Sequence, residues 1–168
     1  HASYTRSMAS TLKESGAKTL IIPTPNSYNS FKKMDLKCNI VSLPAILKDK
    51  LSGKFLDTQS TVAYHPSCMG CDDFDDDCMK LLGSIPGLRL VRLEGKCGDS
   101  GWMEVNAESA ALARNLLKKA EDSGAEFLVA GSPRCAAHLR SVTCGWNRSP
   151  VKVLDIYTFL VSRLEGDA

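Results

Sequence analysis

Apolar positions fall along this chain in two alternating rhythms. Short, mostly apolar runs, as at 18–22, 61–65 and 126–130, have the length of buried strands. Between them apolar residues recur every three or four positions, as at Ala110, Ala113, Leu116, Leu117 and Ala120, which lines them up on one helical face. The pattern predicts helices at 7–15, 26–33, 43–52, 73–84, 107–121, 134–142 and 154–164. It predicts strands at 18–22, 38–41, 61–65, 88–93, 126–130 and 151–153, with a linker over 53–60. Asn106 stands where the longest helix needs an N-cap. Strands alternating with helices imply an α/β fold, a mainly parallel sheet flanked by helices on both faces.

Part of this pattern occurs twice. Residues 15–31 (SGAKTLIIPTPNSYNSF) run parallel to residues 123–139 (SGAEFLVAGSPRCAAHL). The likeness resumes where Leu43, Leu47 and Leu51 answer Ile156, Leu160 and Leu164. Segment 61–105 has no counterpart in the first half. The expectation is a pseudo-repeat: residues 1–55 form the rear half of a first module, residues 56–168 a second, and the two one compact unit. On this reading the chain starts inside its first repeat, either as a piece of something larger or because that repeat is naturally short.

Composition narrows the function. The chain has 168 residues, 43% of them hydrophobic, and a net charge of +2 with lysine and arginine scattered rather than clustered, which argues against nucleic acid as a partner. No apolar run approaches the roughly 20 residues of a membrane span. Seven cysteines, an odd number and widely spaced, do not read as a secreted disulfide framework. With no signal peptide visible, the expected location is the cytoplasm, at most peripheral to a membrane-bound complex.

Open parallel sheets build their sites beyond the carboxyl ends of the strands. Cys68 follows the strand at 61–65, Cys97 the strand at 88–93, and Cys135 the strand at 126–130, so three sulfurs from three strand ends are expected to meet at one sheet edge.

The residues that carry them, HPSC, IPGLRLV, KCGDSG and SGAEFLVAGSPRC, resemble the cysteine-rich CCG domain. That domain occurs in the B-type subunit of heterodisulfide reductases and in iron–sulfur subunits of glycolate, lactate and anaerobic glycerol-3-phosphate oxidising enzymes. The family carries two such modules in tandem, and the repeat looks like that arrangement. The resemblance implies a lone cysteine, a Cys-Cys-Gly and a Cys-x-x-Cys that bind an iron–sulfur cluster. It also implies an electron-transfer role beside a flavoprotein or ferredoxin-like subunit. This chain departs from the pattern. The lone cysteine is Cys68, but the second motif is Lys96-Cys97-Gly98 and the third Ser132-Pro133-Arg134-Cys135. In the first half the third motif is Thr24-Pro25-Asn26-Ser27, without sulfur. Three thiolates can hold a cluster whose remaining iron is open. Lys96, where a sulfur would stand, would then raise the cluster potential.

The residues leave a second reading open. Cys71 makes Cys68-x-x-Cys71, and with Cys135-x-x-His138 this gives two short ligand pairs suited to zinc, in a scaffold or interaction domain without a cluster. The acidic run from Asp72 to Asp77 reads as a solvated helix start, each well-placed charge contributing about 0.3–1 kcal/mol. Its carboxylates beside Cys68 would raise thiol pKa values. Cys38 and Cys78 read as core residues, Cys144 as a packing residue, Trp102 as a shield over the site, and His65 as a structural histidine. The turn at 98–101 has the backbone N–H groups to cradle an anion, and the resemblance to the CCG domain implies that it wraps the cluster.

Overall fold

In the computed structural model, which describes residues 2–69, 71–99, 105–143 and 151–164, helices and strands alternate through the whole chain. The first half contains α1 (Ala2–Glu14), β1 (Thr19–Ile22), α2 (Pro25–Lys32), β2 (Asn39–Ser42) and α3 (Leu43–Lys50). The second contains β3 (Thr61–His65), α4 (Asp72–Leu82), β4 (Arg89–Arg92), α5 (Ala107–Asp122), β5 (Phe127–Ala130), α6 (Pro133–Thr143), β6 (Lys152–Asp155) and α7 (Ile156–Val161). The fold is α/β, with parallel sheets flanked by helices. Among the described residues the strands divide between two sheets: β1 pairs with β2, and the other four lie in the order β4-β3-β5-β6. The two halves of the sequence repeat, β1-α2-β2-α3 and β5-α6-β6-α7, share element order and parallel pairing.

Pleating sorts the core of the larger sheet onto two faces. Along β3, Val62 and Tyr64 face one cluster while Ala63 faces the other; along β5, Val129 faces the first while Leu128 and Ala130 face the second. The first face packs against α4 and α7 through Phe74, Cys78, Leu81, Ile156 and Phe159, the second against α5 and α6 through Ala113, Leu117, Ala136 and Leu139. Being covered on both faces, β5 is apolar throughout, as parallel strands in this setting usually are, while β3 begins and ends on the polar Thr61 and His65.

Helix ends follow local chemistry. Asn106 accepts from the Ser109 backbone N–H at 2.8 Å while Ser109 Oγ accepts from the Asn106 N–H at 3.0 Å, a reciprocal cap on α5. Asp155 caps α7 by accepting from the N–H groups of Tyr157 and Thr158.

Two stretches differ from the sequence expectation. Residues 53–60 are not a free linker. Phe55 is buried and bridges to Leu164, the Leu56 N–H donates to the Arg163 carbonyl at 2.9 Å, and the Thr58 N–H donates to the Pro86 carbonyl at 3.1 Å. A large aromatic in a polar stretch finds its free energy in burial. The acidic run is not wholly solvated either. Asp75 falls on the buried stripe of α4 with Cys71, Phe74, Cys78, Leu81 and Leu82, and is 1% exposed. It accepts from the Tyr64 hydroxyl at 2.6 Å and from the Ser67 N–H at 3.0 Å, which satisfies its charge within the core. Asp77 is half-buried and accepts from the Ser42 hydroxyl, while Asp73 reaches Lys32 and Asp76 reaches Arg92 at the surface.

Candidate metal centre

Because the larger sheet is parallel, β3, β4 and β5 end at the same edge, and the chain order reverses at β3, with β4 on one side and β5 on the other. That is where the loops separate and a site forms. The β3 loop carries Cys68, the β4 loop Cys97, and Cys135 lies in the first turn of α6 directly after β5. The ligand atoms of His65, Cys68, Cys97 and Cys135 all lie within 4.8 Å of one another. Cys68 Sγ is 3.3 Å from Cys97 Sγ and 3.3 Å from His65 Nε2, and the Cys97 N–H donates to Cys68 Sγ at 3.3 Å.

The surroundings hold these loops in place. One guanidinium nitrogen of Arg134 meets both Asp99 oxygens, at 3.1 and 3.2 Å, and so ties the Cys97 loop to the start of α6. Gly98 has φ +88°, and a Cβ there would sit 2.5 Å from the Ser109 carbonyl oxygen. Only glycine lets the Cys97 loop lie this close to α5. Gly98→Ala is therefore expected to displace Cys97 and weaken metal binding by about 10-fold or more, the scale on which groups that orient ligands act. Competition against a chromophoric chelator measures it.

Charge in the cluster is unequal. Hydrogen bonds from the Cys135 and Cys97 thiols, and from His65, hold Cys68 well below the ordinary thiol range. Sharing the cluster with Cys68 pushes Cys97 up through its bonds to Cys135 and Cys68, and Cys135 up to about 11, first through its bond to Cys68 and then through burial. Of the three sulfurs, Cys68 is thus the one most readily deprotonated. The acidic run does not raise Cys68, contrary to the sequence expectation. Burial raises Cys71 first, and Asp75, Asp73 and Asp72 add to that, because the carboxylates ride on α4 with Cys71.

The structure corrects the zinc set read from sequence. Cys71 is the N-cap residue of α4 and packs with Phe74 and Cys78 in the opposite core cluster, so Cys68-x-x-Cys71 does not close on one centre. His138 is buried on α6 outside the donor group, and neither ring nitrogen has a hydrogen-bond partner among the described residues. His65 enters instead. As the last residue of β3 it alternates with Tyr64 and so shares the parity of Ala63, which faces α5 and α6. Its Nδ1 has no hydrogen-bond partner among the described residues. Cys78 is buried in the core as expected, and Cys38 is half-buried. In the first half, Thr24 Oγ1 donates to Ser27 Oγ at 3.0 Å where the resemblance would place sulfur. The readings of Trp102, Cys144 and the far half of the turn at 98–101 lie outside the described residues.

A cleft of about 300 Å³ reaches this centre from solvent, lined by Cys68, Lys96, Gly98, Asp99, Asn106 and Ser109 among others. Cys68 is half-buried at its wall, whereas His65, Cys97 and Cys135 are buried.

Residues 62–140, which contain all four donors, match the CCG cysteine-rich domain family. This stretch is a CCG cysteine-rich domain. No curated protein matches the chain. Among solved structures the chain is similar to glutamate racemase isoform RacE1 from Bacillus anthracis, at 13% identity and a TM-score of 0.51. That alignment covers 95% of this chain and 61% of the racemase chain, and at this identity it is a likeness of fold. Among the described residues no helix is long and apolar enough to cross a membrane. The CCG domain here thus supplies three sulfurs and an imidazole nitrogen that fit a metal ion.

Proposed function

We propose that the carboxyl edge of the CCG domain is a centre for a single divalent ion, zinc in the first place, held by His65 Nε2 and the sulfurs of Cys68, Cys97 and Cys135. The spacing of the four donor atoms, all within 4.8 Å of one another, carries this reading. Around a tetrahedral zinc with Zn–S bonds of about 2.3 Å, sulfurs stand roughly 3.8 Å apart. An iron–sulfur cluster sets each thiolate on a different iron and needs a wider ring. Three cysteines and one histidine also form a complete structural zinc set. Bound zinc would supply a positive charge that keeps the thiolates deprotonated and ties the loops after β3, β4 and β5 together. Metal binding is then coupled to the stability of this sheet edge.

A second reading has support in the family match and in the cleft beside Cys68. It is an iron–sulfur electron-transfer domain, with a flavoprotein or ferredoxin-like subunit as the exchange partner. The Cys68 sulfur at the cleft and the neighbouring Lys96 are the features that favour it.

Loading the protein anaerobically, with zinc in one sample and with iron and sulfide in another, separates the two readings. The expected result is one zinc per chain, no visible chromophore and a raised melting temperature. Several irons per chain with broad visible absorption would overturn the single-ion reading and favour the second.

A further inference from the structure

The cluster is chemically asymmetric in a way that a purely structural metal site does not require. Two of its sulfurs, from Cys97 and Cys135, are fully enclosed, while the third, Cys68, faces a cleft large enough for a small oxidant to enter. The Cys68 and Cys97 sulfurs are 3.3 Å apart. A disulfide bond is about 2.05 Å long, so closing it needs a movement of roughly 1.3 Å. Cys135 sits in the first turn of α6, whereas Cys97 sits in the loop that follows β4, with Gly95 and Gly98 on either side.

We propose that Cys68 is a hydroperoxide-reactive cysteine that closes a disulfide onto Cys97 and thereby opens the metal centre. In the first step the Cys68 thiolate attacks the distal oxygen of hydrogen peroxide. The O–O bond breaks, hydroxide leaves and takes a proton to become water, and Cys68 becomes a sulfenic acid. In the second step the Cys97 sulfur attacks Cys68 Sγ, the S–O bond breaks, and the departing hydroxide takes up the Cys97 proton as a second water. Two thiols lose two electrons, and one peroxide is reduced to two waters. Cys71 does not compete, because it packs in the other core cluster. The loss of two ligands at once leaves His65 and Cys135, too few to keep an ion. Release of the ion, though not the thiol chemistry, rests on the metal reading above.

The test is non-reducing peptide mapping of the unmutated protein, with and without bound zinc, after titration with hydrogen peroxide, each linkage being assigned by fragment-ion sequencing. The expected product is a Cys68–Cys97 link, formed with one equivalent of metal released where metal was present. In Cys97→Ser the expected product is a Cys68 sulfenic acid, captured by a dimedone-type reagent. A Cys68–Cys135 link, or an unmodified Cys68 while other cysteines oxidise, would overturn the proposal. A Cys68–Cys97 link in a protein that takes up no metal sustains this inference and removes the metal reading. A tightly bound ion with an unreactive Cys68 does the reverse.

Discussion

Cys135→Ser is expected to lower zinc affinity by at least about 100-fold, because ligand loss exceeds the 10–100-fold typical of groups that merely orient ligands. Cys135 lies at the start of α6 with its thiol hydrogen-bonded to Cys68 and Cys97 alike, so no other side chain of the group can replace it without moving a helix. Serine keeps the volume but offers a neutral hydroxyl, a poor partner for zinc. At a fixed metal concentration above the native dissociation constant, a 100-fold loss removes up to about 2.7 kcal/mol of metal-linked stability. The metal-free protein loses only the roughly 1–2 kcal/mol of a poorly paired buried hydroxyl. Chelator competition gives the affinity, and melting curves with and without zinc separate the two contributions. Cys71→Ser is the control. It lies on the other face of the sheet and should shift zinc affinity by less than about twofold.

Asp75→Ala is expected to cost about 2–4 kcal/mol, because it strands two donors at once, each worth roughly 1–3 kcal/mol when buried and unpaired. The Tyr64 hydroxyl and the Ser67 N–H both end on this carboxylate. For a chain of this length that corresponds to a fall in melting temperature of roughly 4–16 °C. Gly131 adds to the constraint, since a Cβ there would lie 2.9 Å from Asp75 Oδ1 and closer still to the Tyr64 hydroxyl. Ser67 immediately precedes Cys68, so the loss should also loosen the metal loop. The pH dependence has a definite sign. Burial raises the Asp75 pKa above its ordinary 3.8, with the bonds from Tyr64 and Ser67 pulling the other way. The folded state therefore binds this proton more tightly than the unfolded chain does. The contribution is fully present below about pH 3.8 and fades as pH rises through the higher folded-state value. Asp75→Ala lacks that decline. Denaturation measured from mildly acidic to neutral pH should show the gap between the two proteins narrowing, and a widening gap would contradict this account of Asp75.

Much of the frame was legible because parallel strands announce themselves. Short, mostly apolar runs at 61–65 and 126–130 marked buried strands, and the rule about carboxyl ends then placed Cys68, Cys97 and Cys135 on one edge. The spacing of Ala110 to Ala120 and the cap at Asn106 gave α5 almost residue for residue. What was missed depended on parity and phase rather than residue type. His65 looked structural because a histidine ending a strand usually is, yet strand alternation aims it with Ala63 toward the side where Cys97 and Cys135 gather. Cys71 looked like a ligand because Cys-x-x-Cys is a familiar spacing. The helical phase it shares with Phe74 and Cys78 turns it into the opposite core. Asp75 was hidden in a run of five aspartates, though the same phase singles it out from its neighbours. Phe55 made a packed segment of what polar neighbours suggested was a linker. The division of the strands into two sheets was not legible, since strand pairing partners are set by tertiary contacts that local patterns do not encode.

The shell of donors around a bound ion is read most directly by X-ray absorption at the zinc edge of the loaded protein. The expected spectrum contains three sulfurs at about 2.3 Å and one nitrogen at about 2.0–2.1 Å, with the nitrogen lost in His65→Ala. A shell of oxygen and nitrogen alone, or three sulfurs with the nitrogen intact after His65 is removed, would contradict the centre described here.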